Sequence, residues 1–344
     1  MKQIRIFALH RRCTDVDSFV NYIQLPDLKD KFEFVWDEDN PDYLFVTEHI
    51  YLYKKIRKDF NRLFYRAKIT IFFTREAVSP DFNLFDYAFG FDYNLENGDR
   101  FTRIPGPIDL WPKFCKERTN SIGTIEQARE ELLNKKGFCC FLYSNYLAHP
   151  NRDKLFWLIS KYKRVDSLGR HLNNVELKGT GYKGHEFDGV TLKSAYKFSI
   201  ASENSSFDGY TCEKIITSLE AHTVPVYFGD PHVSTYINPD CFIDCSKYIN
   251  LDEVVDTVKK VDSDDSLWCK MISAPWQTKE QEREAEKRKA LYHDRFHHIF
   301  EGDINDNQRK AIGAFATMYE SHITRNTVRK KSIISRLLLR LKYK

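Results

Sequence analysis

The stretch from residue 196 to residue 228 constrains the fold of this chain most strongly. Tyr196, Phe198 and Ile200 alternate with small or polar residues, as in a strand, and a second strand is predicted over 223–228. Between them a loop broken by Gly209 leads into a helix that opens at Glu213. Strands joined through a helix pair in parallel, so this stretch predicts an α/β protein.

The same alternation of strand and helix runs through most of the 344 residues. Short apolar runs predict strands over 4–9, 32–36, 43–46, 69–73, 138–143 and 165–168. Helices are predicted over 50–65, 124–133, 153–162, 251–261, 278–292 and 308–324. We therefore expect two Rossmann-like domains, 1–135 and 136–300, followed by C-terminal helices over 301–344. A linker is expected near 134–137.

Polar side chains follow the strand that begins at Tyr196. Glu203 and Asn204 come just past its carboxyl end, where open α/β sheets bind their ligands. Thr211 is predicted to cap the next helix, and Lys214 falls in that helix's first turn, beside unpaired amide groups. A bound phosphate would offset the cost of a cation there, which favours a nucleotide carrying a pyrophosphate. The alternative is that Lys214 points into water, and the local pattern does not separate the two.

Several motifs in this region together resemble a known family. YKFSIASENS, YTCEKI, HTVPVYFGDP and NPDCFID are similar to the donor-binding motif of the alpha-1,3/1,4-fucosyltransferases of glycosyltransferase family 10. Upstream, FFTREAVSPDFNLFDYAFGFD at residues 72–92 resembles the acceptor-side motif of bacterial members. The resemblance implies the GT-B arrangement, in which two Rossmann-like domains face each other across a cleft. It also implies an inverting transfer of L-fucose from GDP-β-L-fucose.

The resemblance suggests roles for individual residues. It implies that Glu76 is the general base and that Arg152 grips the diphosphate together with Lys214. The resemblance implies that Glu213 contacts sugar hydroxyls and stabilises positive charge on the fucose ring; a residue favoured only by the helix dipole is the equal alternative from the local pattern. Further contacts to ribose, fucose or phosphate are expected from three residues whose roles the sequence does not separate: Glu203, Asn204 and Tyr210.

The expected acceptor is an N-acetyllactosamine-type glycan, and we expect no metal or cofactor in the chemistry. Arg75 and the pair Ala77 and Val78 depart from the family pattern around Glu76. Two alternatives therefore stay open: a catalytically silent glycan- or membrane-binding relative, and a transferase that uses another GDP-sugar.

Three other patterns are interpreted as structural. The run 179–184 fits GxGxxG but does not follow a buried strand, so a loop that can close over the donor is expected. The acidic run 262–265 is interpreted as a solvated turn. His293 and His297 have the spacing of metal ligands on a helix, but a zinc-protease glutamate is missing, so surface or core histidines are expected.

The end of the sequence is basic and amphipathic. Residues 325–344 hold eight Lys or Arg and no acid, and since the net charge is +4, residues 1–324 carry −4. Ile334, Leu337, Leu338 and Leu341 share one helical face, which favours an anionic membrane surface over nucleic acid as partner. Eight cysteines without a CxxC pair favour a reducing compartment. We therefore expect a cytoplasmic protein, peripheral on the inner face of the membrane.

Overall fold

The structure of the protein is a computed structural model that describes residues 1–104, 106, 122–176, 186–311 and 313–327. These residues form two compact units. The first unit contains the described residues up to 104 together with those from 287 onward, and the second contains those from 106 to 286.

The first unit is built on a parallel sheet of six strands in the order β2-β1-β3-β4-β5-β6. The strands are β1 (Lys2–Leu9), β2 (Phe32–Trp36), β3 (Tyr43–Thr47), β4 (Ile69–Phe73), β5 (Tyr87–Gly90) and β6 (Phe101–Arg103). The early helices are α1 (Val16–Ile23), the 3-10 helix Pro26–Asp30, α2 (His49–Leu52) and α3 (Lys54–Leu63). β3 and β4 are buried along their whole length, as expected for strands covered on both faces.

The second unit has a parallel sheet of five strands in the order β11-β10-β9-β7-β8. Its strands are β7 (Gly137–Phe141), β8 (Val165–Ser167), β9 (Tyr196–Ser202), β10 (Val224–Phe228) and β11 (Ile243–Asp244). The helices among its described residues are α4 (Ile125–Asn134), α5 (Pro150–Tyr162), α6 (Glu186–Lys193), α7 (Glu213–Glu220), α8 (Leu251–Ser263) and α9 (Asp265–Ser273). Three 3-10 turns, Val233–Thr235, Pro239–Cys241 and Cys245–Lys247, follow β10.

Side chains fix where these helices begin. Thr124 caps α4 in a capping box with Gln127, and the Asn250 side chain accepts from two backbone amides at the start of α8. The apolar faces of α4, α5, α8 and α9 pack with β7, β9 and β10 in one buried cluster. This packing holds the carboxyl ends of β7, β9 and β10 in fixed positions.

The C-terminal helices are α10 (Lys279–Glu301) and α11 (Ala314–Thr327). Three aromatic residues of α10, namely Tyr292, Phe296 and Phe300, are buried in the first unit. The Phe296 ring stacks on Phe89 of β5 at a centroid distance of 4.2 Å. The predicted division at residue 300 therefore differs from the structure, because the described residues from 287 onward belong to the unit of the N-terminal sheet.

The predicted fold class, α/β with two parallel-sheet units, is confirmed. The predicted helix over 50–65 is instead α2 and α3, separated at Tyr53, which has extended backbone. The predicted loop 179–184 and nearly all of the basic segment 325–344 lie outside the described residues. Among the described helices, none combines the length and the apolar character needed to cross a membrane.

Candidate active site

A buried ion cluster lies where β9 ends and α7 begins. Glu203, directly after β9, is completely buried, and its Oε1 accepts a hydrogen bond of 2.8 Å from the backbone amide of Cys212. The Lys214 ammonium lies 3.0 Å from Glu203 Oε2 and 3.3 Å from Glu213 Oε1. The structure thus brings three of the predicted site residues, Glu203, Glu213 and Lys214, into direct contact.

This arrangement corrects the sequence-based interpretation of the α7 start. Cys212, not Thr211, is the N-cap residue, and Thr211 Oγ1 donates to Asp230 Oδ2 at 3.0 Å. The Glu203 carboxylate also lies at this helix start, against the Lys214 ammonium. Lys214 is therefore mostly buried between two carboxylates and does not point into water, as the alternative interpretation held.

The charges of the cluster depend on one another. Burial raises the pKa of Glu203, against the effect of Lys214. Burial also opposes the ionisation of Glu213, but Lys214 outweighs it and lowers the pKa of Glu213. Despite its own burial, Lys214 has a pKa well above its usual range because Glu203 and then Glu213 stabilise the ammonium. At neutral pH the cluster therefore holds an ionised Glu213 beside a charged Lys214.

Asp230, which the sequence analysis missed, fixes the loop between β9 and α7. Its Oδ1 accepts from the backbone amides of Gly209 and His232, each at 2.8 Å. Gly209 has φ +91°, a conformation that favours glycine. Asp230 follows β10 and is itself buried, so the loop geometry depends on two neighbouring strand ends.

Arg152, in the first turn of α5, is completely buried and only partly bonded. Its Nε donates to Asp153 Oδ1 at 3.1 Å, and the other oxygen of Asp153 lies 2.8 Å from His171 Nε2. Nη1 and Nη2 of Arg152 make no hydrogen bond to any described residue. A buried donor without an acceptor costs about 1–3 kcal/mol, and more when it is charged. The guanidinium therefore offers two parallel donors to an anion.

Tyr143 connects Arg152 to the ion cluster. The Arg152 guanidinium lies over the Tyr143 ring at 4.8 Å, and the Tyr143 hydroxyl accepts from the Ser202 amide at the end of β9. Burial raises the pKa of Tyr143, and Lys214, Glu203 and Arg152 are all close enough to act on it. The predicted phosphate-binding arginine and the predicted donor-site cluster therefore share one neighbourhood.

The remaining predicted donor residues lie beside this cluster. The backbone carbonyl of Asn204 accepts from the amide of His149, which ties the loop before α5 to the end of β9. Tyr210 is buried next to α7. Lys193, which the sequence did not single out, is buried behind α7, where its ammonium donates to Thr217 Oγ1 at 2.8 Å. Burial lowers the pKa of Lys193 to about 8.

Glu76 belongs to the first unit and follows β4. Its side chain is exposed, and its backbone amide donates to Thr74 Oγ1 at 3.0 Å, which shapes the turn after the strand. Arg75 donates from Nη2 to the carbonyl of Tyr22. Glu76, the predicted base, therefore lies at the carboxyl end of a parallel strand, and its side chain is accessible to solvent.

Glu48, which the sequence analysis missed, lies beside Glu76. It follows β3, whose register with β4 places Thr47 opposite Phe73. Burial raises the pKa of Glu48 to about 7; Glu76 acts in the same direction, and a hydrogen bond with Thr74 opposes it. Glu48 Oε2 is buried without a hydrogen bond to a described residue. The neighbourhood of Glu76 therefore contains a second carboxyl group, that of Glu48, whose pKa is raised by burial.

The sequence matches two family descriptions. "Glycosyltransferase family 10 (fucosyltransferase) C-term" matches residues 132–301, and "Alpha-(1,3)-fucosyltransferase FucT N-terminal domain" matches residues 13–108. Glu203, Glu213, Lys214 and Arg152 fall in the first match, and Glu48 and Glu76 in the second.

Individual relatives agree with these matches. The alpha-(1,3)-fucosyltransferase FucT of Helicobacter pylori is 31% identical over 238 residues, which is 61% of this chain and 48% of that protein. The chain thus spans about half the length of this curated relative. A crystal structure of alpha1,3-fucosyltransferase superposes with a TM-score of 0.68 at 25% identity, covering 89% of this chain and 93% of the other. A crystal structure of alpha1,3-fucosyltransferase with GDP superposes with a TM-score of 0.64 at 25% identity, covering 88% of this chain and 91% of the other.

These matches extend through both sheet units and include each unit's strand ends where the site residues lie. The fold is accordingly that of the GT-B glycosyltransferases. The chain belongs to glycosyltransferase family 10, the family of the alpha-1,3/1,4-fucosyltransferases.

Proposed function

We propose that this protein is an inverting fucosyltransferase that transfers L-fucose from GDP-β-L-fucose to a hydroxyl of an N-acetylglucosamine-containing glycan. The product would carry an alpha-1,3 or alpha-1,4 linkage. The observation that carries the proposal is the Arg152 guanidinium, buried beside the Glu203, Lys214 and Glu213 cluster with two donors that no described residue uses.

The donor diphosphate is the natural ligand for Arg152. A guanidinium can hold two phosphate oxygens through parallel charge-assisted hydrogen bonds, and burial strengthens such bonds. The Nε bond to Asp153 orients the guanidinium before the ligand arrives. Lys214 adds positive charge nearby, and it stabilises the leaving diphosphate as negative charge develops.

Glu213 acts on the sugar. Because Lys214 keeps Glu213 ionised, its carboxylate can accept from fucose hydroxyls and stabilise positive charge on the ring in the transition state. Asn204 and Tyr210, next to the same cluster, supply further polar contacts to the donor.

Glu76 acts on the acceptor. An inverting transfer needs a group that removes the proton from the attacking hydroxyl, and an exposed carboxylate at a strand end can do so. The name of the Helicobacter pylori relative supports an alpha-(1,3) linkage, and the relative solved with GDP supports a guanosine diphosphate donor. Residues 325–344 would hold the protein on anionic lipid.

The activity is tested with GDP-fucose and N-acetyllactosamine, by following GDP release and the mass of the product. Glu76→Gln should lower kcat by about a hundred- to ten-thousand-fold while GDP binding is kept. Glu96→Gln is the matched control, since Glu96 is an exposed glutamate of the same unit. Unchanged turnover in Glu76→Gln would rule out the base assignment. Donor binding without turnover on a glycan panel would favour the silent relative, and stronger competition by GDP-mannose would favour another donor.

The diphosphate contact is tested by Arg152→Lys, which keeps the positive charge and removes the planar pair of hydrogen-bond donors. We expect the Kd for GDP to rise at least about tenfold, because a lysine cannot bind two oxygens in this geometry. Arg164→Lys is the control, since Arg164 is an exposed arginine of the same unit. Equal GDP affinity in both variants would contradict the proposed contact.

Membrane association is tested by co-sedimentation with vesicles that contain anionic lipid. A chain that ends at residue 324 should lose binding, whereas the parent should bind and release at high salt. Equal binding by the two chains would refute a role for residues 325–344.

A further inference from the structure

We propose that Asp27, His293 and His297 form a binding site for a divalent transition-metal ion, with Zn²⁺ as the first candidate. Each residue offers one ligand atom, and the three atoms lie within 4.8 Å of one another. All three residues belong to the first unit.

Two elements far apart in the sequence supply the ligands. His293 and His297 are one turn apart on α10, and Asp27 lies in the 3-10 helix Pro26–Asp30. The Tyr292 hydroxyl donates to the carbonyl of Ile23 at 2.8 Å, which fixes α10 against the end of α1 just before Asp27. The cluster is therefore positioned by the packing of the first unit.

Hydrogen bonds among the three side chains satisfy their ring nitrogens and carboxylate poorly. His293 Nε2 lies 2.7 Å from Asp27 Oδ2 and 3.2 Å from His297 Nε2. An imidazole nitrogen has one in-plane position, which holds either a proton or a lone pair. If His293 Nε2 donates to Asp27, it has no lone pair with which to accept from His297. A hydrogen on His293 Nε2 is either directed at Asp27 alone or shared between Asp27 and His297, whereas a cation between the three atoms would accept a lone pair from each.

The distances suit a metal ion. Two nitrogens that bind one Zn²⁺ at about 2.0–2.1 Å in a tetrahedral site are separated by about 3.3 Å, close to the 3.2 Å found here. The Asp27 oxygen would have to move slightly outward. Its side chain is 50% exposed, so a rotation into solvent is open to it.

Carboxylates lie behind both imidazoles. Asp294 Oδ1 is 3.5 Å from His293 Nδ1, and Glu301 Oε1 is 3.7 Å from His297 Nδ1. Both separations are longer than a hydrogen bond, and His297 Nδ1 makes none to a described residue, so these carboxylates act through their negative charge, which favours a cation between the imidazoles. Lys31 is the neighbouring cation that opposes a second positive charge near His297. The three nearby carboxylates, those of Asp27, Asp294 and Glu301, outnumber this single cation.

Two imidazoles and one carboxylate suit zinc and related metals such as cobalt. His293 is also partly exposed, so a water molecule can complete the coordination. Such an ion would link α10 to the beginning of the chain and stabilise the folded first unit by mass action.

The test uses tag-free protein that has been stripped with a chelator, without donor or acceptor. Zn²⁺ is titrated calorimetrically, and Co²⁺ is titrated by its visible absorption. We expect one equivalent of either ion to bind and the Tm to rise by a few degrees, about 3–5 °C. Asp27→Asn and His293→Ala should each weaken binding at least about tenfold. Both side chains are partly exposed, so these variants should fold even where a variant of the buried His297 does not.

His298→Ala is the matched control, because His298 is an exposed neighbour on the same helix. It should bind Zn²⁺ as the parent does. Absence of Zn²⁺ and Co²⁺ binding by the parent would overturn the proposal and favour the shared proton. Binding that survives both Asp27→Asn and His293→Ala would overturn it equally. Neither result depends on transferase activity.

Discussion

Lys214 retains its charge because two carboxylates lie against it, and this contact makes its substitution harder to interpret. Removal of the ammonium would leave the buried Glu203 carboxyl group without the cation that offsets its burial, and the loss of one partner of a buried pair costs about 3–5 kcal/mol. A loss of donor binding in such a variant would thus mix two effects, unfolding and the missing contact to phosphate. A second substitution can separate them.

Lys214→Met should destabilise the protein by about 3–5 kcal/mol, whereas Lys214→Met combined with Glu203→Gln should recover much of that loss. Glutamine can still accept from the Cys212 amide, and it carries no charge that needs a partner. Urea unfolding measures the stability, and calorimetry with GDP measures the affinity. If the double variant folds normally and binds GDP as the parent does, Lys214 has only a structural role.

Glu48 predicts a pH dependence of stability. Its pKa is about 7 in the folded protein and near 4.5 when unfolded, so the folded protein binds more protons between these values. The resulting stabilisation is complete below about pH 4.5 and is lost as the pH rises through 7. Glu48→Gln should remove this dependence, and at pH 8 it should be more stable than the parent by about 1–3 kcal/mol.

Urea unfolding of the parent and of Glu48→Gln between pH 5 and 8 measures this difference. Glu33→Gln serves as the control, because Glu33 is an exposed glutamate on β2. A constant gap between the parent and Glu48→Gln across this range would contradict the expected titration.

The sequence located most candidate site residues but not their contacts. Glu203, Glu213 and Lys214 stand out because polar residues interrupt an apolar pattern and match a family motif. That Glu203 lies against the Lys214 ammonium depends on side-chain geometry, which the pattern does not contain. Asp27 and His293 are 266 residues apart, so no local spacing could have predicted that they meet.

At the scale of elements, most apolar strands were predictable, including the short β8, but β5 and β6 were not. β2 and β4 have the predicted bounds because apolar and aromatic residues dominate each run and polar residues flank it. β5 and β6 have four and three residues, and neighbouring strands stabilise them. α1 was missed although Asp15 and Ser18 form a capping box at its start.

Gly229, after β10, lies so close to Glu203 that a residue with a side chain would not fit there. A Cβ atom at this position would lie 2.4 Å from Glu203 Cγ, and Glu203 cannot withdraw because its carboxylate is bonded and buried. Gly229→Ala should therefore cost about 1–3 kcal/mol in stability and weaken GDP binding. Chemical unfolding and calorimetry measure the two effects.

Gly123→Ala is the matched control for that substitution. A Cβ atom at Gly123 meets nothing within 4 Å, so its effect on stability should stay within about 0.5 kcal/mol. Similar stabilities for the two variants would contradict the close packing inferred at the end of β10.

At the scale of the whole molecule, the chain returns to its first unit after building the second. The sequence predicted helices at the C-terminal end but assigned 136–300 to one domain, because a helical pattern does not say which sheet it covers. Buried aromatic residues determine which sheet α10 covers, since Phe300 packs against Phe32, Phe34 and Tyr43 of the first sheet. The backbone amides of Arg309 and Lys310 further donate to the buried Asp86.

This return of the chain predicts a sharp difference between two truncations. A chain that ends at residue 286 lacks Tyr292, Phe296 and Phe300, each of which stabilises by about 1.5–3 kcal/mol when buried. Their combined loss approaches the whole stability of a typical domain, about 5–15 kcal/mol. The first unit should therefore not fold in that chain, whereas a chain that ends at 327 should keep it. Hydrogen exchange of β1 to β6 measures this directly, and native protection of these strands in the chain that ends at 286 would show that α10 is dispensable for the first unit.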